Sequence, residues 1–374
     1  MLDCADVYRW LEEADISFFC GVPDSLLKDF CAFISDQVDP HQHVIAANEG
    51  AAVALAAGYH LASERLALVY MQNSGLGNAV NPLLSLAHPA VYGIPMLLMV
   101  GWRGQPGVKD EPQHAQQGQA TGKLLDSIGI DHALLPTEPE AARGVLESGV
   151  AQARDQSAPF AIVVQRGTFA KYGSSAEVQS ELPLTREQAL QIVLDGLDRR
   201  SIVVSTTGYT SREVYEYRAA HEGTFADFRT VGSMGHASQI ALGMAMQRTD
   251  QEVCCLDGDG ALIMHMGSLA VIGSISPPNF KHIVLNNGVH DSVGAQPTAG
   301  LGIDIPGLAR ACAYKHTARA VSKNEVQQAT AALRLATGPA LLEVQVRPGA
   351  RNDLGRPGVS PQQAKEQLMS ILKS

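Results

Sequence analysis

Glu252-Val253-Cys254-Cys255-Leu256-Asp257-Gly258-Asp259-Gly260 is an apolar run that stops at an acidic glycine turn. His282-Ile283-Val284-Leu285-Asn286-Asn287-Gly288-Val289 repeats the pattern and stops at a pair of asparagines. Short continuous apolar runs of this kind suit strands buried on both faces of a parallel sheet. The residues between, 261–273, read as a helix. Strand, turn, helix and strand then place both polar turns at one sheet edge, the carboxyl edge where such sheets bind ligands.

The same alternation extends outward. Strands are expected at 16–20, 43–47, 66–71, 95–100, 161–165, 202–205 and 340–346. Helices are expected at 3–13, 49–62, 185–198, 211–219, 235–247, 322–336 and 360–372, with further helices after 25 and after 78. Residues 101–117 read as a polar loop. Residues 167–185 turn to Gly, Ser, Glu and Pro, the composition of a linker. The expectation is two doubly wound parallel α/β domains, 1–175 and 185–374.

Composition agrees. A chain of 374 residues exceeds one ordinary domain, and its 45% hydrophobic content supplies large cores. A net charge of −10 argues against nucleic acid, whose phosphates need clustered Lys and Arg. Charged residues are only 18% of the chain, a poverty that fits a surface covered by another subunit. The six cysteines show no metal-binding spacing, so they are expected to be core thiols in a reducing, cytoplasmic setting. The N-terminus lacks the basic and apolar regions of a leader, and no apolar stretch is long enough for a membrane span.

The turns carry the chemistry. Gly258 and Gly260 permit close backbone approach, and a helix opening at Ala261 aims free N–H groups at a diphosphate. Asp259 and Asn287 offer the hard oxygens that suit Mg²⁺. Arg103 and Lys109 follow a strand end and could meet an anionic substrate. His290 and Asp291 follow the asparagine turn and should face the cavity.

The arrangement resembles the diphosphate-binding motif of the thiamine-diphosphate-dependent decarboxylases. The resemblance implies that Asp259, Asn287 and the main-chain carbonyl of Val289 hold Mg²⁺. Ala46-Ala47-Asn48-Glu49-Gly50 looks like the family's pyrimidine-domain element, which makes Glu49 the carboxyl that bonds the cofactor's aminopyrimidine ring. Gly232-Ser233-Met234-Gly235-His236, read as opening a helix, resembles the loop that bends the cofactor. Met234 would be the prop, with main-chain bonds from Gly232 and Met234. Thr206-Thr207-Gly208 would add a diphosphate contact at Thr207. His114 and Asp24 are placed like the family's catalytic histidine and acid, although Asp24 or Ser25 could instead cap the helix that follows. Val293 stands where pyruvate decarboxylases carry a glutamate, so their proton relay does not transfer whole. Glu213 is a further candidate acid on what reads as a surface helix.

The length leaves no room for a central third domain. That architecture, with stretches such as 21–30, 72–78, 101–104, 109–114 and 286–292, resembles the two-domain branch acting on phosphonopyruvate and sulfopyruvate. Both halves in one chain favour the phosphonate substrate. The family also implies a homodimer or larger homo-oligomer with active sites between subunits.

Overall fold

The computed structural model describes residues 1–173 and 180–373, so the stretch 174–179 of the expected linker lies outside the described residues. The chain divides into two compact units, Met1–Glu177 and Val178–Ser374.

The first unit is a six-stranded parallel sheet of β1 (Phe18–Gly21), β2 (His43–Ile45), β3 (Ala67–Gln72), β4 (Met96–Gly101), β5 (His132–Leu134) and β6 (Pro159–Val164). Their spatial order is β2-β1-β3-β4-β6-β5. The second unit holds β7 (Ile202–Ser205), β8 (Asp227–Arg229), β9 (Val253–Gly258), β10 (Phe280–Asn286), a short antiparallel pair β11 (Val289–His290) and β12 (Gln296–Pro297), then β13 (His316–Ala320) and β14 (Ala340–Gln345). Its main sheet runs β13-β14-β10-β9-β7-β8, again all parallel. Read from β8, this is the strand order of the first sheet. The two units therefore share one topology, although the sequence shows no internal repeat.

Each sheet separates two apolar clusters, one on either face. Phe19, Leu68 and Leu97 point into one cluster of the first unit, and Cys20, Val69 and Leu98 point into the other. Cys254 and Leu256 face one cluster of the second unit, and Val253 and Cys255 face the other. This is the two-sided burial that continuous apolar strands require. Cys254 and Cys255 are wholly buried, and burial pushes both thiols far up. All six cysteines are unpaired. No helix among the described residues is long and apolar enough to cross a membrane.

Several expectations need correction. Residues 101–117 are not all loop, because a helix starts at Pro112 and runs to Ser127. His114 therefore sits in a first helical turn. Expected helix 261–273 is two helices, Asp259–Met264 and Ser268–Ile275. The first opens at Asp259, two residues before Ala261. Residues 232–236 are an irregular loop with Ser233 at φ 54° and Gly235 at φ 84°, and the helix begins only at Ala237. Edge strands β5, β8 and β13 and the helices Pro139–Gln156 and Ile305–Ala311 are additional to those expected.

Candidate active site

Because every main strand within a sheet is parallel, the loops after strand ends share one edge. In the first unit these are the loops carrying Asp24, Glu49, Asn73 and Arg103, which follow β1, β2, β3 and β4. In the second they carry Thr207, Gly232–Gly235, Asp259 and Asn287, after β7, β8, β9 and β10. In both sheets the chain reverses its direction of growth beside the first strand, the position where such sheets bind ligands.

Glu49 opens the helix Glu49–Ser63, whose N-cap Asn48 accepts a hydrogen bond from the Ala51 N–H. The carboxylate is not solvated; the residue is only 5% exposed. Asn78 Nδ2 donates to Glu49 Oε2 at 2.7 Å. Gly75 passes directly over the carboxylate: a Cβ there would lie 2.3 Å from Glu49 Oε1. Gly75→Ala should therefore displace Glu49 without disturbing the sheet. The expected result is a turnover loss of at least about tenfold, with a melting temperature within a few degrees of the parent.

The same segment reaches Asp24. Gln72 Nε2 donates to Asp24 Oδ1 at 2.6 Å, and Ser74 Oγ donates to Gln72 Oε1 at 2.7 Å. Asp24 is fully buried, and burial raises its pKa against the opposing pull of the Gln72 and Leu26 hydrogen bonds and of Arg103. It does not cap the next helix, Lys28–Gln37, whose N-cap is Leu27 with no side-chain bond; its Oδ2 accepts from the Leu26 N–H. A buried carboxyl that retains its proton more easily than usual is suited to general acid chemistry.

His114 is buried, with no hydrogen-bond partner at Nδ1 among the described residues. Burial, then the charge of Arg103, lowers its pKa. The ring is thus a neutral imidazole beside Asp24.

Arg103 is not a free cation. Its Nε donates to Asp110 Oδ2 at 2.8 Å, Nη2 donates to Asp110 Oδ1, and Nη1 donates to Ser25 Oγ at 2.7 Å. Asn73 holds the Arg103 main chain, donating to its carbonyl at 2.8 Å and accepting from its N–H at 3.2 Å. The pair closes the loop 103–110, and Arg103 holds the Asp110 carboxyl well below its usual range, against the cost of burial. Lys109 is exposed and forms no ion pair among the described residues; Asp110 pairs with Arg103, and at 3.7 Å with Arg166, and not with its neighbour.

In the second unit Asp259 is 2% exposed. Thr298 Oγ1 donates to its Oδ2. Burial pushes its pKa up to about 6, against the lowering effect of Thr298 and of main-chain N–H groups. No Lys, Arg or His among the described residues pairs with it. A buried carboxylate without a counter-charge is costly, and a bound cation would neutralise it. Gly300 crowds the same oxygen, since a Cβ there would lie 2.4 Å from Asp259 Oδ2.

Asn286 and Asn287 differ sharply. Asn286 Nδ2 donates to the Gly300 carbonyl and to Glu343 Oε1, and its Oδ1 accepts from the Gly288 N–H. It is fully used in holding the turn. Asn287 Nδ2 donates to Asp291 at 2.7 Å, while among the described residues its Oδ1 meets only the Val289 N–H at 3.2 Å. Asp259, Asn287 and the Val289 carbonyl thus offer oxygen atoms of the kind a divalent cation accepts. Above Gly258 a Cβ would meet nothing within 4 Å, which leaves room for a ligand. Neither Gly258 nor Gly260 has a positive φ. Gly260 is glycine because the His290 ring packs over it, 2.7 Å from where a Cβ would sit. Ala261 lies buried in the short helix. Burial lowers the His290 pKa to about 4, so that ring is neutral as well.

Met234 and Gly232 are half-buried, Ser233 is exposed, and Thr207 is half-buried in the turn ending at Gly208, φ 94°. Two expectations change here. Asp291 does not face an open cavity: Oδ2 accepts from Arg186 Nη1 at 2.7 Å and Oδ1 from the Gly349 N–H at 2.9 Å. Glu213 is not on a surface but is buried against Arg186. The stretch 72–78 stands out in the sequence, but the individual roles of Gln72, Asn73, Gly75 and Asn78 do not, nor do Thr298 and Arg186, because their partners are remote in sequence.

Comparison with known proteins resolves the family. Residues 5–125 match the model of the thiamine pyrophosphate enzyme N-terminal TPP binding domain, and residues 206–344 match the C-terminal TPP binding domain. A phosphonopyruvate decarboxylase from Streptomyces viridochromogenes is 35% identical over 390 residues, covering 100% of this chain and 95% of that protein. The chain belongs to the thiamine-diphosphate-dependent decarboxylases. A second phosphonopyruvate decarboxylase, from Streptomyces hygroscopicus, is 36% identical over 96% of this chain and 92% of its own length. A sulfopyruvate decarboxylase from Methanosarcina acetivorans is 26% identical over 98% of this chain and 96% of its own length. That last match removes one argument from the sequence: two halves in a single chain do not distinguish a phosphonate decarboxylase from a sulfonate one. As a thiamine-diphosphate-dependent decarboxylase, the chain is a carboxy-lyase.

Proposed function

We propose that this decarboxylase acts on 3-phosphonopyruvate, releasing CO₂ and phosphonoacetaldehyde with thiamine diphosphate and Mg²⁺, as a step in phosphonate biosynthesis. The observation that carries the substrate is the whole-chain identity of 35% and 36% to two phosphonopyruvate decarboxylases, against 26% to the single-chain sulfopyruvate enzyme. Domain 1–175 would bind the pyrimidine ring and domain 185–374 the diphosphate and metal.

Thiamine diphosphate supplies the electron sink for loss of the carboxylate. The protein's own work is positioning and proton transfer. Glu49 bonds the pyrimidine ring from a buried site. Asp259, Asn287 and the Val289 carbonyl hold the metal. Gly258, Gly260 and Ala261 leave the main chain open to the diphosphate, with Thr207 beside it. Gly232, Ser233 and Met234 support the ring, Met234 as an apolar prop. Asp24, with its raised pKa, delivers a proton, and neutral His114 and His290 bond the reacting groups. Lys109, exposed and unpaired, is a better candidate than Arg103 for direct contact with the phosphonate.

Arg103 is tested separately. If its role is to hold Asp110, Arg103→Met should cost about 1–3 kcal/mol of stability by leaving that half-buried carboxylate with only the longer Arg166 ion pair at 3.7 Å. It should also affect every keto-acid substrate alike. A selective rise in KM for phosphonopyruvate, with stability intact, would return Arg103 to the anion site.

The protein is proposed to be a homodimer or larger. Leu55 and Leu61, on the helix Glu49–Ser63, and Leu84, Val91 and Tyr92 are exposed in the first unit. Large exposed apolar side chains suit a subunit interface. The deciding experiment offers phosphonopyruvate, sulfopyruvate and pyruvate in parallel and measures CO₂. Preference for phosphonopyruvate supports the reading. Preference for sulfopyruvate keeps the mechanism and overturns the substrate.

A further inference from the structure

We infer that Arg186 and Asp291 form a buried ion pair that fixes which end of the Asn287 amide faces the metal, making both positioning residues. This rests on the metal-binding reading above.

An asparagine amide has one acceptor end and one donor end, exchanged by a half-turn of the side chain. Only the oxygen can ligate a hard cation. Asn287 is buried in a tight turn, so something must choose between the two orientations. An ionised carboxylate makes that choice, because it only accepts hydrogen bonds. Asp291 Oδ2 lies 2.7 Å from Asn287 Nδ2 and draws the NH₂ end toward itself. The oxygen is thereby turned the other way.

Asp291 must itself stay charged and in place. The Arg186 guanidinium donates to it at 2.7 Å, and the Gly349 N–H holds the second oxygen. Arg186 stands in the first turn of the helix Arg186–Gly196, whose capping box is built from Thr185 and Gln188. Its remaining nitrogens donate to both oxygens of Glu213 at 2.9 Å, and the guanidinium lies 5.3 Å from the centre of the Tyr209 ring. Arg186 and Glu213 are almost wholly buried. Burying such a triad brings little stability over apolar side chains of the same volume. It does give a rigid link from a helix start to the amide of Asn287. Asn286 is held in a similar way, its Nδ2 donating to Glu343, which Arg319 pairs with, but it also donates to the Gly300 carbonyl and its oxygen accepts from the Gly288 N–H, so it serves the turn.

The test is calorimetric titration of thiamine diphosphate into the purified full-length protein at stepped Mg²⁺ concentrations, a readout independent of turnover. Asp291→Ala leaves Arg186 paired with Glu213. It should raise the Mg²⁺ concentration for half-maximal cofactor binding by about 10- to 100-fold, the usual loss for removing an outer partner of a metal ligand. Adding Asn287→Asp to Asp291→Ala makes both ends of residue 287 oxygen, so that its orientation no longer matters. It should bring the midpoint back to within a few-fold of the parent. Where truncation unfolds the chain, the isosteric Asp291→Asn serves, with a shift of about tenfold expected. An unchanged midpoint in folded Asp291→Ala overturns the inference, as does a double variant Asn287→Asp with Asp291→Ala that recovers nothing. A parent protein that binds thiamine diphosphate equally well with chelator present overturns the metal reading itself, and this inference with it.

Discussion

Glu49→Gln is expected to lower turnover by about 10²- to 10⁴-fold while thiamine diphosphate binding changes by only a few-fold. The substitution keeps the volume of a residue confined between Asn78 and Gly75. Its amide oxygen can still accept the Asn78 hydrogen bond, so the helix start and the Asn73–Asn78 turn have no reason to move. What disappears is the acid itself. A glutamine can hydrogen-bond a pyrimidine nitrogen but cannot exchange a proton with it near neutral pH. Loss therefore belongs in kcat and not in cofactor affinity. Measuring kcat together with the thiamine diphosphate dissociation constant separates the two. Parent-like turnover would remove Glu49 from the chemistry. A collapse in binding with residual turnover per bound cofactor unchanged would make it a binding residue only.

How much of this was legible depends on what each residue needs from its neighbours. The inner strands announce themselves because both faces are buried, as in β9 and β10, giving continuous apolar runs. The edge strands β5, β8 and β13 are short and partly exposed, so no such run exists in His132–Leu134, Asp227–Arg229 or His316–Ala320. The helix Pro112–Ser127 buries His114, Gly118, Thr121 and Leu125, a face with one large apolar side chain, and hydrophobic periodicity cannot reveal it. Its Gly118 is small because the Gly104 carbonyl lies 1.7 Å from where a Cβ would stand. The Asp259 and Asn287 turns were readable because glycine and asparagine after a buried strand are rare without a reason. The ion pairs were not. Arg103 with Asp110 and Arg186 with Glu213 and Asp291 depend on loops and helices closing across the sheet edge, which residue type alone does not specify. For the same reason the pairing of Arg103 with Asp110 and Ser25 could not be read from the sequence.

Asp259→Ala should abolish Mg²⁺-dependent retention of thiamine diphosphate without weakening the empty protein. The two halves of that prediction have opposite signs in stability. In the empty protein Asp259 is a buried carboxylate with no ion-pair partner among the described residues, and its raised pKa reflects the cost. Removing it gives up the Thr298 hydrogen bond but relieves the buried charge, so the empty variant should melt no lower than the parent. In the parent, cofactor and Mg²⁺ at about 100 times their dissociation constant should add roughly 2.7 kcal/mol, and the variant should show almost none of that gain. A large loss of stability in the empty variant would instead mark Asp259 as a structural acid. Mixing sharpens the result. If each active site takes Glu49 from one subunit and Asp259 from its partner, co-refolded Glu49→Gln and Asp259→Ala chains regain one intact site per mixed dimer. Random pairing then predicts about a quarter of parent activity from two inactive proteins. No recovery would place Glu49 and Asp259 of one site on the same chain.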